Sequence, residues 1–352
     1  MIIRRNNCLL VLLCLLFQLA DVKRSFAQAD APSYMIRVFD DDDFWNDLGL
    51  GTDKAYSSGE QLTLFYKSGH KPGFFLDKIL PKAGDSSINI YSLGIMQLMY
   101  TPSILTPSYY IPNDYSYSGA LVGKHSLYSY NAEKKYDLQT ELVFGVMGPA
   151  SLAGSTQRWF HRVIHDTAVP NGWGNQYLNS PLLNVNFNAE KEIYSNKCFE
   201  AVGNCSLSAG TMFDGAEAGV TIYLGKMHPY FNGMFGLYST PFSGNGKGRK
   251  KAQFYFMMKT AGQYVMYSAL LQGGLFAPQP MVKIINGYGA AAQAVYMVKP
   301  AQQIENFVAY ESYGPVIAYS RFCISFTQTY SLPVLKNVYA YIYGNITIYY
   351  SW

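Results

Sequence analysis

Gln157, His161 and His165 are spaced four residues apart within one stretch, Gly148 to Gln176. On a helix that spacing sets all three on one face. A helix is expected here because Leu152, Phe160, Val163 and Ile164 follow a helical period rather than alternation. Pro149 keeps Gly148 out of the helix, Ser151 or a neighbour can cap it, and Pro170 with Gly172 ends it. An imidazole one turn from an amide is the equipment of a general base with an orienting partner. Two histidines four apart can also hold a metal. In the zinc-protease pattern, however, Glu follows the first His, and here Arg162 stands there.

A second group lies far upstream. Asp40, Asp41, Asp42 and Asp43 are consecutive and precede Phe44 and Trp45. Adjacent carboxylates repel unless a cation or water separates them, and a hard cation such as Ca²⁺ is their natural ligand. Strand alternation would put Asp41 and Asp43 on one face and Asp40 and Asp42 on the other. Thr52-Asp53-Lys54-Ala55-Tyr56-Ser57-Ser58-Gly59 follows, a turn rich in hydroxyls that leads into a strand. A solvated acidic loop tip and a structural histidine are the plain alternatives for each group taken alone.

What must position these residues is a β-rich frame. Residues 1–27 read as a secretory signal. Arg4 and Arg5 open it, Cys8 to Ala20 is its apolar run, and Ser25-Phe26-Ala27 is a small-x-small cleavage site. Four of the chain's cations against one acid fall in that segment, so the net charge of +4 leaves the mature chain close to neutral. Such a chain has no electrostatic footprint for nucleic acid. Beyond the signal stand Cys198, Cys205 and Cys323. Pairing of the first two and three free thiols are equally open. Tyr occurs 31 times and Phe 21 times in 352 residues, while charged residues are only 14%. No apolar run after the signal is long enough for a spanning helix.

Alternation predicts about twelve strands, near 34–42, 57–67, 88–100, 118–130, 136–148, 182–197, 208–223, 229–240, 251–268, 285–299, 313–330 and 337–352. Their length and number suit an all-β, transmembrane antiparallel barrel with a short helix in an extracellular loop. Residues 28–352 then form one barrel domain, expected to act as a monomer. The last segment carries this most clearly. Its even positions run Ile342, Gly344, Ile346, Ile348, Tyr350 and Trp352, and its odd positions Tyr341, Tyr343, Asn345, Thr347, Tyr349 and Ser351. One face suits lipid, the other a wet or packed interior, and Tyr350 and Trp352 suit an interfacial belt. The basic run Lys247 to Lys251 reads as a solvated turn that could also touch anionic headgroups. With the N-terminus periplasmic, odd-numbered connections face outward. The acids lie on the first connection and the helix on the fifth, so both reach the same side of the membrane.

Together these pieces resemble the lipid A 3'-O-deacylase family over most of the mature chain. The resemblance rests on the acids Asp40 to Asp43 with Phe44, and on Thr52, Asp53, Tyr56, Ser57 and Gly59. Further parts are Tyr100-Thr101-Pro102, then Asp114, Tyr117 and Gly119. Its most specific block is Gly148-Pro149, Gln157, His161, Gly172-Trp173 and Gln176. It implies an outer-membrane hydrolase that removes the 3'-linked acyloxyacyl chain of lipid A, in contact with outer-membrane lipids. By the same token His161 would be the base, with Gln157 orienting. Ser57 would stand for the family's Thr, and Asp40 and Asp41 for its Asn-Asp pair, with Asp42 and Asp43 as the shifted alternative. Ca²⁺ would be the cofactor, with Asp40, Asp41 and Asp43 as its ligands. The family's Lys has no single counterpart here. The competing readings are a non-catalytic barrel, either a pore or a lipopolysaccharide-binding protein, and a soluble periplasmic β-protein.

Overall fold

The computed structural model describes residues 33–46, 54–67, 78–164, 168–239, 252–287 and 292–352. The expected signal, His165, Thr52, Asp53 and the run Lys247 to Lys251 lie outside them. Twelve antiparallel strands close into a barrel. The first six are β1 (Tyr34–Asp42), β2 (Ala55–Lys67), β3 (Ile88–Thr101), β4 (Ser118–Asn131), β5 (Tyr136–Met147) and β6 (Ser180–Ser195). Next come β7 (Phe199–Gly210), β8 (Phe213–Lys226) and β9 (Gln253–Ser268). After a separate hairpin of β10 (Met281–Asn286) and β11 (Gln293–Val298), the barrel resumes with β12 (Phe307–Tyr319), β13 (Phe322–Ser331) and β14 (Tyr341–Ser351). Closure is made by β1 against β14, from Met35↔Ser351 to Asp42↔Gly344. No helix among the described residues is long and apolar enough to cross a membrane. The strands do the crossing.

The expected count of twelve holds, but by offsetting errors beyond β6. The span 208–223 is the junction of β7 and β8, turning at Thr211-Met212, and 313–330 is the hairpin of β12 and β13, turning at Ser320-Arg321. Neither two-residue turn carries Gly, Pro, Asn or Asp, and of the usual markers of a reversal only Ser320 is present. Ser320 adopts a left-handed φ of 57°. Conversely, 229–240 is no strand: Tyr230–Asn232 forms a 3₁₀ turn and Met234–Leu237 a short helix. The span 285–299 belongs to the β10–β11 hairpin, outside the barrel. The first five connections match expectation, so the acid-bearing and helix-bearing loops share the outer side.

Side chains divide cleanly across the wall. Outward positions such as Val38, Leu62, Leu93, Phe144, Leu183 and Ile317 are exposed and apolar, as a lipid-facing belt requires. Tyr34 and Tyr350 both stack on Trp352 at 5.9 Å, an aromatic cluster at the periplasmic rim. Inward positions are Tyr-rich and polar, and line cavities of about 320, 230 and 390 Å³. Both ends of the lumen are stoppered. On the periplasmic side Phe231, Met234 and Phe235 pack onto Met35, Phe65 and Tyr255. On the outer side the turn Ala269–Gln272 brings Ala269 and Leu270 onto Tyr56, Leu98 and Tyr177. Cys198, Cys205 and Cys323 are all free thiols, which resolves the open alternative on pairing.

Candidate functional site

Helix α1 (Ala153–Ile164) lies against the outside of the wall. Gly148 has a φ of 88°, Pro149–Ser151 makes a 3₁₀ turn, and Leu152 is left-handed at 61°, so the helix starts at Ala153. Ser151 donates its hydroxyl to the Gly148 carbonyl (2.6 Å). Gln97 of β3 donates its amide to the Ser151 carbonyl (2.6 Å), and Ala153 packs with Met99. A Cβ at Gly119 of β4 would fall 2.3 Å from that of Ala153. The glycine is what lets the helix lie flat on the strands. Gln97 and Met99 share the parity of exposed Leu93 and Ile95, so α1 is on the lipid side, level with the outer ends of β3 and β4.

The helix is inside-out relative to one packed on the core of a water-soluble protein. Ala153, Gln157 and His161 form the buried stripe, whereas Leu152, Phe160 and Val163 are exposed. In water that arrangement would be unfavourable. Beside a bilayer the apolar face has lipid to meet, and the polar stripe meets the wall.

Two hydrogen bonds fix what the stripe offers. His161 Nδ1 lies 2.7 Å from the Ala168 carbonyl oxygen, which can only accept. The proton is therefore on Nδ1, and Nε2 is the basic nitrogen. Trp173 Nε1 donates to Gln157 Oε1 (2.7 Å). An indole N–H can only donate, so this bond also assigns the amide, leaving Gln157 Nε2 as a donor. Trp173 is itself held by Tyr117, with ring centroids 5.0 Å apart, and by Gly154, where a Cβ would meet the indole at 2.8 Å. One acceptor and one donor, a turn apart on one buried face, result.

The strands beneath add hydroxyls and acids. Between β2 and β3 the register shifts at Tyr56/Ser58. Tyr56 turns into the lumen, and the bulge sets Ser57 and Ser58 together on the outward side. Ser57 and Thr101 are hydrogen-bonded through their hydroxyls, and Ser58 donates to Glu60. Glu60 pairs across the strands with Asp40 and with Gln97, so the two carboxylates sit in one outward row beside the foot of α1. Asp40 accepts from Trp45 Nε1 (3.0 Å), and Trp45 packs on Gly344. Glu60 Oε2 is buried with no hydrogen-bond partner.

The acid run is thus divided. Asp41, expected in the catalytic and metal set, faces the lumen. There it accepts from the Tyr56 hydroxyl (3.0 Å) and Asn345 Nδ2 (3.0 Å) and lines a cavity with Arg37 and Tyr349. Asp43 accepts from the backbone N–H of Lys54 (3.0 Å). Period-two alternation separates Asp41 from Asp40, since neighbours on a strand cannot share a face, and Asp43 lies past the end of β1, opening the 3₁₀ turn Asp43–Trp45. Asp40, Asp41 and Asp43 therefore do not converge, and no three His, Cys, Asp or Glu side chains gather at a metal-ligating site among the described residues. The donor set that fits a cation is Asp40 with Glu60, because Glu60 Oε2 is orphaned and acidic. Glu60 escaped the sequence reading, as its tie to Asp40 depends on register.

Above the site the outer loops are braced by a buried cation. Lys299 Nζ sits 3.6 Å from the Tyr177 ring centroid and 3.5 Å from the Asn175 carbonyl, in the segment that carries Trp173. Burial without a carboxylate partner among the described residues pushes its ammonium down to about 7.

The profile of a family described as outer membrane protein LpxR matches residues 9–352. The chain belongs to the LpxR family. Membership puts it in the bacterial outer membrane among lipid A-modifying enzymes. No curated protein matches it in sequence. Among solved structures it is similar to LpxR from Salmonella typhimurium, at 17% identity and a TM-score of 0.66, over 90% of this chain and 100% of that one. It also matches the β-domain of the Bordetella autotransporter BrkA at 9% identity and a TM-score of 0.43, over 92% of this chain and 100% of that one. The first of these supports the twelve-stranded barrel already described.

Proposed function

We propose that the chain is a carboxylic ester hydrolase that removes the 3'-linked acyloxyacyl chain of lipid A from within the outer leaflet. The observation that carries this reading is the oriented pair on α1: a basic His161 Nε2 and a donating Gln157 Nε2, facing the wall at membrane level. Ester hydrolysis requires a group to take a proton from water and a donor for the oxygen that becomes negative. His161 would draw the proton off the attacking water, and the Ala168 carbonyl would steady the imidazolium that forms. Gln157 would donate to the carbonyl oxygen as charge builds on it. Ser57 with Thr101 supplies hydroxyls on the same side of the wall. When the ester collapses, the imidazolium returns its proton to the leaving sugar oxygen.

Ca²⁺ belongs to the proposal through Asp40 and Glu60, with amide, backbone or lipid oxygens completing its shell. Bound there, it would supply Lewis-acid polarisation of an ester oxygen. The stoppered lumen argues against a pore, since the described parts of both end loops fill it.

Mass spectrometry of lipid A from cells with and without the protein tests the reading. The expected change is loss of one acyloxyacyl unit, dependent on the protein. Identical spectra from expressing and non-expressing cells would remove the hydrolase assignment.

A further inference from the structure

Helix α1 has a third face that the hydrolytic chemistry does not use. Successive residues turn by about 100° around a helix. With Ala153, Gln157 and His161 set on the wall, Trp159, Phe160 and Val163 fall on one flank, and Arg158 and Arg162 fall together on the other. The exposures agree: Trp159 is 59% exposed and Val163 51%, and both arginines are exposed. Among the described residues no carboxylate pairs with either guanidinium. An apolar flank beside a basic flank is the signature of a helix lying in a membrane interface, with its apolar side in the acyl region and its cations at headgroup level. The level is fixed independently, because α1 rests on the last residues of β3 and the first residues of β4, both at the outer rim.

We infer that Arg158 and Arg162 form a docking site for the phosphate of a phosphorylated glycolipid headgroup in the outer leaflet. Charge complementarity selects the occupant. Two guanidiniums four apart on one helix face can each give paired N–H bonds to phosphate oxygens, which a neutral sugar cannot draw on. Trp159, Phe160 and Val163 keep the helix seated in the leaflet, so the guanidiniums stay at headgroup height. The inference rests on the hydrolase reading for its substrate. It adds the residues that hold the lipid's anionic head while the ester is presented to His161.

The test uses the full barrel in nonionic micelles, with bis-phosphorylated lipid A and the same lipid after enzymatic removal of both phosphates as probes. The wild-type protein is expected to bind the phosphorylated lipid about tenfold more tightly, the discrimination expected of charge-assisted bonds. The variant Arg158→Ala/Arg162→Ala should bind both lipids equally. Its KM for deacylation should rise about tenfold while kcat stays within about twofold. Arg158→Lys/Arg162→Lys should keep part of the preference, since it retains charge without the planar fork. Heat-modifiable migration on gels confirms that each variant is folded. A double alanine variant that keeps the full phosphate preference overturns the inference. If the wild-type protein shows the arginine-dependent preference yet cleaves neither lipid, the docking site stands and the hydrolase reading falls.

Discussion

The two faces of the wall near Asp40 and Asp41 show how one acidic run can be put to two uses. On the lumen side Asp41 is saturated, with the Tyr56 hydroxyl and the Asn345 amide both donating to it. On the lipid side Asp40 stands in register with Glu60, which has a buried oxygen without a partner. A satisfied carboxylate holds strands together. An incompletely satisfied pair of carboxylates is held in place by the fold and is suited to a ligand. The identities of the residues do not separate the two cases; the side of the wall does.

The largest effect that would test this contrast is on the lipid side. His161→Ala should lower deacylation by about 10²- to 10⁴-fold, the usual worth of a general base, while the barrel remains heat-modifiable. Retained turnover, measured by release of fatty acid from lipid A, would take the imidazole out of the chemistry. Next in size, Glu60→Gln should raise the Ca²⁺ concentration needed for half-maximal activity by about tenfold, and calorimetry should show the same weakening of Ca²⁺ binding. Unchanged calorimetric binding would move the cation elsewhere.

The lumen side should respond differently. Asp41→Asn cannot accept from both of its donors, so we expect a loss of about 1–3 kcal/mol in stability, read from urea-induced unfolding. Activity per folded barrel should change much less than in the His161 variant. If activity instead collapses with stability intact, the division of labour across the wall is wrong.

The smallest effect concerns Lys299 in the outer loops. Its ammonium is depressed from the ordinary lysine range to about 7 when folded, so the native loops bind fewer protons than the opened ones. Linkage then makes closure tighten as pH rises from about 7 toward 10.5, with the full penalty present below the folded value. Amide exchange across Asn171–Asn175 should slow over that window in the wild type, after correction for intrinsic rates. In Lys299→Met it should stay flat.

Much of this was readable from residue order alone. The first six strands, the side on which the site assembles and the central Gln157–His161 pair all follow from periodicity and parity. The strand positions after β6 do not, because Thr211-Met212 reverses the chain without a turn-forming residue and Ser320-Arg321 does so with only a serine. Nor does the inverted burial of α1, since a sequence does not state whether Phe160 and Val163 meet core or lipid. Glu60 needed cross-strand register, and the outward placement of Ser57, itself expected at the site, needed the bulge. Both are properties of pairing between distant segments rather than of local preference.

The apolar flank of α1 has one more consequence. A catalyst seated in the leaflet through Trp159 and Val163 encounters its substrate by lateral diffusion in two dimensions. Its turnover should follow the mole fraction of that lipid in the bilayer, and diluting the vesicles with buffer should leave the rate per enzyme unaltered.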